Sequence, residues 1–348
     1  MAFLPPTINR MTCRKSSTWA VVLAAGEGSR LRDLTTSADG IPIPKQFCSL
    51  FGERSLLEDA LARAAEIVPA DRICTIVAQQ HRQWWSTNKG VRTLRSRNVF
   101  VQPANRGTAI GILYSLLHVL NKDPDARVVF LPSDHYVSLP DKLSRALHAA
   151  SERVERIPGQ IVLLGMEPEE ADAELGYILP GAVDPDGGWT VARFIEKPAT
   201  AHAREIIAQE GLWNTFIFAA SARTLLHLFV ARFAAVVVDM QLGLSRYLTA
   251  SRRDLTRLVD LYEKMPHLDF SRDILEAQPT PLCVLRVPAC GWSDLGTPKR
   301  LGQTLNAVEA HHRTHMADCS ASPNDYLSLA LQYRRLGPPQ QLTSYGHV

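Results

Sequence analysis

The sequence has little net charge. It carries 38 Lys and Arg against 35 Asp and Glu, a balance of +3. Such a balance supplies no concentrated basic surface and no argument for a nucleic-acid or membrane partner. Cysteine is sparse: the six stand at 13, 48, 74, 283, 290 and 319, and no two are spaced as CxxC. A zinc site or a thioredoxin-like motif therefore has no support, and the residues read as reduced thiols of a cytoplasmic protein. The apolar run at 19–25 is too short to cross a bilayer. It follows a few basic residues, as the core of a signal peptide would. It leads straight into Gly26-Glu27-Gly28-Ser29-Arg30, however, and reads as a buried first strand. Residues 1–17 read as a flexible leader. No internal repeat and no nucleophilic triad is recognisable. No repeat-bearing extension follows the core, so a second activity on this chain is not expected.

What is present is a core. The chain has 348 residues, 46% hydrophobic and 21% charged, the composition of a soluble globular protein. Short apolar runs recur at 19–24, 73–78, 98–102, 127–132 and 161–166. Between them lie helical patterns; Ile110, Leu113, Leu116, Leu117 and Leu120 share one helical face. Near-continuous apolar strands alternating with helices predict a doubly wound α/β domain, its mostly parallel mixed sheet covered on both faces. Later strands are expected at 190–198, 215–220 and 282–288, with the Pro/Gly-rich stretch 179–189 as a turn between two strands. Residues 221–278 read mainly as helices. The domain is expected over 18–305, followed by a tail at 306–348 that begins helical and becomes poorly ordered.

In open sheets of this kind ligands gather at the carboxyl ends of the strands. The first such end is LAAGEGSRL, residues 23–31. It is not a dinucleotide fingerprint, because Leu31 stands where the third Gly belongs, and it lacks the Lys of a P-loop. Gly26 and Gly28 nevertheless permit a sharp turn that exposes backbone N–H groups to an anion. Arg30 adds a forked cation, and Lys45 follows two prolines. By itself this loop is equally a phosphate cradle or a plain strand–turn–helix connection. Asp134 ends a second apolar strand and Asp294 a third. They are two magnesium ligands if the fold joins them, and two helix-capping aspartates if it does not. His135, beside the first, reads as a backbone-bonded histidine outside the catalytic set. His311 and His315, four apart, read as a solvated helix end rather than a metal pair.

Taken in order, these pieces resemble the sugar-1-phosphate nucleotidyltransferases, most closely the mannose-1-phosphate guanylyltransferases. The matching stretches are LAAGEGSRL, PKQ at 44–46, QPANRGTAIG at 102–111, PSDH at 132–135, GYI at 176–178, EKP at 196–198, WNT at 213–215 and WSDLG at 292–296. The resemblance covers roughly residues 19–305. It implies the nucleotide-diphospho-sugar transferase (GT-A-like) fold. It implies transfer of a nucleotidyl group from a nucleoside triphosphate, GTP first, to a sugar 1-phosphate, mannose first, with release of pyrophosphate. By position, Leu23, Ala24, Ala25, Gly26, Gly28 and Ser133 would cradle the nucleotide, with Gln102, Arg106 and Thr108 near the base. Arg30, Lys45, Asp134 and Lys197 would be catalytic. Gly176, Glu196, Lys197 and Asn214 would receive the sugar phosphate, and Asp134 and Asp294 would hold Mg2+. Neither nucleic acid nor membrane is implied; a homodimer is left open.

Four sites depart from the pattern: Gly107 replaces Asn, Glu174-Leu175 replaces small or polar residues, Phe216 stands where Gly is usual, and Ala277 where Lys is. These leave room for other pairings of base (dTTP, UTP or CTP) and sugar. They also leave room for a nucleotide-binding regulatory protein without turnover, since fold does not guarantee function. A cytidylyltransferase of the isoprenoid type shares the Gly loop and PKQ but is disfavoured by EKP and WNT.

Overall fold

The computed structural model describes residues 17–36, 40–249, 255–277 and 282–315. Residues 1–16 of the expected leader, the tail beyond 315, Cys13, Cys319 and the side chains of His311 and His315 lie outside the described residues. The strands are β1 (Thr18–Ala24), β2 (Ile73–Ala78), β3 (Val99–Gln102), β4 (Arg127–Pro132), β5 (Tyr136–Val137), β6 (Ile161–Met166), β7 (Tyr177–Val183), β8 (Trp189–Ile195), β9 (Leu212–Ser221), β10 (Leu282–Arg286) and β11 (Trp292–Ser293). Nine of them form one sheet in the order β3-β2-β1-β4-β9-β6-β10-β8-β7, and β5 pairs with β11 apart from it.

The first four strands pair in parallel, as their fully apolar sequences predict. Beyond β4 the sheet is mixed. β9 runs antiparallel to both β4 and β6, and β8 runs antiparallel to β10 and β7. Because β7 also pairs with the start of β9, the five strands β9, β6, β10, β8 and β7 close into a ring. The stretch 179–189 is only in part the expected turn: β7 continues to Val183, and the reversal is confined to Asp184–Gly188.

Helices α1 (Leu56–Ala65), α2 (Gly107–Lys122), α3 (Pro140–Arg156), α4 (Thr200–Ala208), α5 (Ala222–Thr249), α6 (Leu255–Lys264) and α7 (Pro298–His315) cover the sheet. One core joins the sheet to α2, α5 and α6, and the other joins it to α1, α3 and α4. This is the doubly wound arrangement. Ser55 and Glu58 form a capping box that starts α1. α5 is long and apolar enough to span a membrane by length and composition, a feature the sequence analysis passed over. It breaks at Phe233 and buries Leu225, Leu228, Phe229, Val237, Met240 and Leu244 in the core. α7 crosses the expected domain boundary at 305, and buries Leu301 and Leu305 against Leu31, Leu34 and Leu50 behind the Gly loop. The described cysteines, Cys48, Cys74, Cys283 and Cys290, are buried free thiols.

Candidate active site

The carboxyl ends of β1, β3 and β4 open into one cleft. A cavity of about 370 Å³ there is lined by Leu23, Ala25, Gly26, Gln102, Thr108 and Asp134, among others. The Gly loop owes its shape to contacts on both sides. Gly28 sits at φ +61, and a Cβ there would lie 3.0 Å from the Lys45 backbone nitrogen. Gly is thus required twice over, by dihedral and by space. Gln46 Nε2 donates to the carbonyls of Ala24 and Gly26 at 3.2 and 2.8 Å. Its place in PKQ had drawn attention only to the lysine; Gln46 holds the loop. Ala24 is fully buried and offers the loop its backbone alone. Ser133, buried beside it, donates its N–H to Leu23 O at 3.2 Å.

Lys45 lies below the cleft rather than in it. Only 5% exposed, it places Nζ 3.0 Å from Asp134 Oδ2, 2.6 Å from Asp294 O and 3.3 Å from Leu295 O. One ammonium therefore ties the end of β4 to the loop after β11. Burial works to raise the Asp134 carboxyl, but the Lys45 charge, His135 and the hydrogen bonds to the carboxylate together outweigh it and hold Asp134 below the usual carboxylate range. His135 is not a backbone-bonded histidine, as the sequence suggested. Trp292 Nε1 donates to its Nδ1 at 3.2 Å, and its Nε2 stands 3.8 Å from Asp134 Oδ1. Burial pushes the imidazole down to about 4, against the pull of Asp134. The ring is thus neutral near pH 7, with its proton on Nε2.

Asp294 points toward α7. Its Oδ1 accepts from Arg300 Nη1 at 2.6 Å and from the Gly296 N–H at 3.1 Å. Burial raises its carboxyl, and Arg300, His135 and Lys45 together more than offset this, holding it low. Arg300 also bonds Asp172 at 2.9 Å and lies over the Trp213 ring, 4.6 Å from its centroid. No motif pointed to Arg300, which stands outside the matching stretches and joins Asp294 to the remote Asp172. The fold thus brings Asp134 and Asp294 near one another, with Lys45 bound to the carboxylate of the first and the backbone carbonyl of the second.

The second group of expected residues also converges. A Cβ on Gly176 would stand 2.6 Å from Glu196 Oε2 and 3.4 Å from Asn214 Cβ, so these three residues abut. Burial, with Asp269 adding its charge, pushes the Glu196 carboxyl up to about 7. Lys197 is exposed just beyond β8, at φ +50. Two expected residues are engaged differently. Arg106 directs Nε to Tyr262 O at 2.8 Å and Nη2 toward Glu263 O at 3.4 Å, and it does not line the cavity. Arg30 pairs with Glu174 at 2.7 Å, both side chains half exposed, and neither lines the cavity.

The departures acquire physical reasons. Gly107 sits at φ +83 with Leu268 O only 2.1 Å from where a Cβ would be. The segment after α6 packs on the start of α2: Leu268 O accepts from Ala109 N and Leu268 N donates to Arg106 O, both at 3.1 Å. That segment also brings Asp269 into the cleft, where it accepts from Thr108 Oγ1 at 3.2 Å. Leu175 is buried in the core beside Tyr177. Ala277 is exposed at the end of a π-helical turn, Phe270–Glu276; nothing in the structure explains its choice. Gln102 is 2% exposed, and its Oε1 is buried at the cavity wall without a hydrogen-bond partner among the described residues. Such an acceptor is costly unless a ligand donor meets it.

A family model described as nucleotidyl transferase matches residues 19–311. The chain is similar to the alginate biosynthesis protein AlgA of Pseudomonas syringae pv. tomato, 29% identical over 303 residues, covering 86% of this chain and 60% of that one. It is similar to mannose-1-phosphate guanylyltransferase 2 of Escherichia coli O157:H7, 28% identical over 291 residues, covering 80% and 58%. It therefore spans about 60% or less of the length of these relatives. A solved structure from Thermus thermophilus, described as mannose-1-phosphate geranyltransferase, superposes with a TM-score of 0.68 at 28% identity, covering 82% of this chain and 78% of that one.

Proposed function

The chain belongs to the nucleotidyl transferase family, and on that premise we propose that it joins a sugar 1-phosphate to a nucleoside triphosphate and releases pyrophosphate. GTP and mannose 1-phosphate are the first choices, and the cytoplasm is the place. The observation that carries this reading is the single cleft in which the Gly loop, Asp134 and the unpartnered Gln102 Oε1 face one cavity. The relatives described as mannose-1-phosphate guanylyltransferases favour the guanine and mannose pair.

A phosphate monoester has a second pKa of about 6, so the sugar phosphate arrives largely as a dianion. It is already a nucleophile, and no general base is needed. His135 supplies none, because its unprotonated Nδ1 already accepts from Trp292 Nε1. Repulsion between two anions is the difficulty, and the chain meets it with fixed charge. Backbone N–H groups of the Gly loop and Arg30 would hold the departing phosphates, and Lys197 would steer the attacking one. Lys45 serves from below: it keeps Asp134 ionised and aimed into the cleft. Mg2+ fits this donor set, because it takes one or two carboxylates with phosphates and water completing its shell. Asp134 lines the cleft and would hold the ion, whereas Asp294 reaches Lys45 only through its backbone carbonyl, and its carboxylate, held by Arg300, would have to turn to join it; the ion when bound would neutralise phosphate charge.

The test is pyrophosphate release with Mg2+, crossing GTP, ATP, CTP, UTP and dTTP with mannose and glucose 1-phosphates. Turnover with GTP and mannose 1-phosphate, lost in Asp134→Ala, is expected. Folded protein that binds a nucleotide but turns over no pair would overturn the reading.

A further inference from the structure

Of the two aspartates expected on the metal, only Asp134 lines the cleft. Asp294 gives its carboxylate to α7, and the loop that carries it is built for that orientation. Leu295, fully buried, takes φ +49, and such backbone strain persists where the surroundings over-determine it. Asp294 Oδ1 accepts from Arg300 Nη1 at 2.6 Å and from Gly296 N at 3.1 Å. A Cβ on Gly296 would collide with Asp294 Oδ2. The glycine of WSDLG thus makes room for the carboxylate where it lies.

Arg300 is poorly placed to give that carboxylate up. It is 6% exposed, its Nε donates to Asp172 Oδ2 at 2.9 Å, and its guanidinium lies 4.6 Å from the centre of the Trp213 ring. Its Nη2 already lacks a partner among the described residues. Without Asp294 the buried guanidinium would keep one carboxylate, and removing one partner of a buried ion pair is strongly destabilising. Lys45 adds a second restraint, because it holds the Asp294 carbonyl at 2.6 Å while its charge faces Asp134. Magnesium needs only one or two protein carboxylates when phosphates and water complete its shell.

We propose that Asp294 is a positioning residue and not a metal ligand: its carboxylate stays on Arg300, and of the two aspartates the divalent ion takes Asp134 alone. What the Asp294–Arg300 pair positions is the segment from Asp172 to Gly176. Arg300 ties the Asp294 loop to Asp172, whose Oδ1 accepts from Glu174 N at 2.7 Å. Two residues further on, Gly176 abuts Glu196 and Asn214. The pair therefore fixes the approach to the residues expected to receive the sugar phosphate. This rests on the nucleotidyl-transfer reading above.

The first test needs no variant. Wild-type crystals grown with GTP and Mn2+, sugar phosphate omitted, locate the ion by its anomalous scattering. An ion bonded to Asp134, with Asp294 still on Arg300, is expected; an ion bonded to both carboxylates, or to neither, overturns the proposal. The second test compares Asp134→Asn and Asp294→Asn by the Mg2+ concentration that half-saturates turnover and by KM for mannose 1-phosphate. Asp134→Asn should raise the Mg2+ requirement by about ten-fold or more. Asp294→Asn should leave it within about three-fold and raise KM for the sugar phosphate by about five-fold. An equal rise in Mg2+ requirement for both variants overturns the proposal, as does a lower melting temperature in Asp294→Asn with neither constant moved. Absence of wild-type turnover with every base and sugar overturns the underlying reading, while the position of Mn2+ still decides the role of Asp294.

Discussion

The two halves of the sheet differ in which residues take left-handed backbone. In the parallel half, up to β4, every described residue with positive φ is a glycine: Gly28, Gly40, Gly52 and Gly107. In the closed ring and the segments after it, Gly187, Gly188 and Gly291 do so too, but Lys197, Glu210, Phe216 and Leu295 join them with full side chains. Three of these, Lys197, Phe216 and Leu295, lie at or beside the candidate site. The parallel half is built from residues that suit their local geometry. The ring half holds residues against local preference by pairing and packing, and that is where the sugar is proposed to bind. The Gly loop is thus set by backbone alone, whereas the ring half places side chains such as Lys197 and Phe216 in strained backbone.

The contrast is most vulnerable at the joint between the halves. Lys45→Met is expected to lower turnover on the order of 100-fold or more, because Asp134 and the Asp294 and Leu295 carbonyls lose their shared cation; pyrophosphate release measures it. Next comes the glycine half. Gly107→Asn would restore the residue usual in the resemblance, yet it should destabilise the fold by at least about 2 kcal/mol, because Leu268 O blocks the Cβ. Thermal melting tests this, and an unchanged midpoint would show that the 265–270 segment yields.

Gln102→Leu separates ligand contact from stability. Its Oε1 has no partner among the described residues, so melting should hold or rise while KM for the triphosphate increases by about ten-fold. In the ring half, Glu196 gives a slope instead of a step. Its folded carboxyl titrates at about 7, above the ordinary value of 4.5, so its protonated form favours the fold at low pH. Stability from this group should be complete below about 4.5 and should fall as pH rises toward about 7; Glu196→Gln should flatten that part of the melting profile. The smallest effect is at Arg30. Glu174→Gln frees Arg30 from a half-exposed ion pair, and such pairs are weak. KM for the triphosphate should fall by about two- to five-fold at low salt, with the gain fading as salt screens the site.

Strands and their ends were legible from residue order alone. β2, β4 and β6 coincide with apolar runs at 73–78, 127–132 and 161–166, because a strand buried on both faces has to be apolar throughout. Gly28, Asp134 and Gln102 could be picked out for the same local reason: each follows or closes such a run. The ring half was harder to read. There β7 runs on through Pro180 and Gly181, which by propensity mark a turn, because pairing with β8 outweighs local preference. It took the folded chain to put Lys45 under Asp134, to let Trp292 direct the proton of His135, to turn Arg106 to the end of α6, and to give Asp294 to Arg300. Those contacts join residues from about 6 to nearly 250 positions apart. Periodicity and turn chemistry report on a few neighbouring residues; the partner of a buried charge is set by whichever distant strand end the sheet order places beside it.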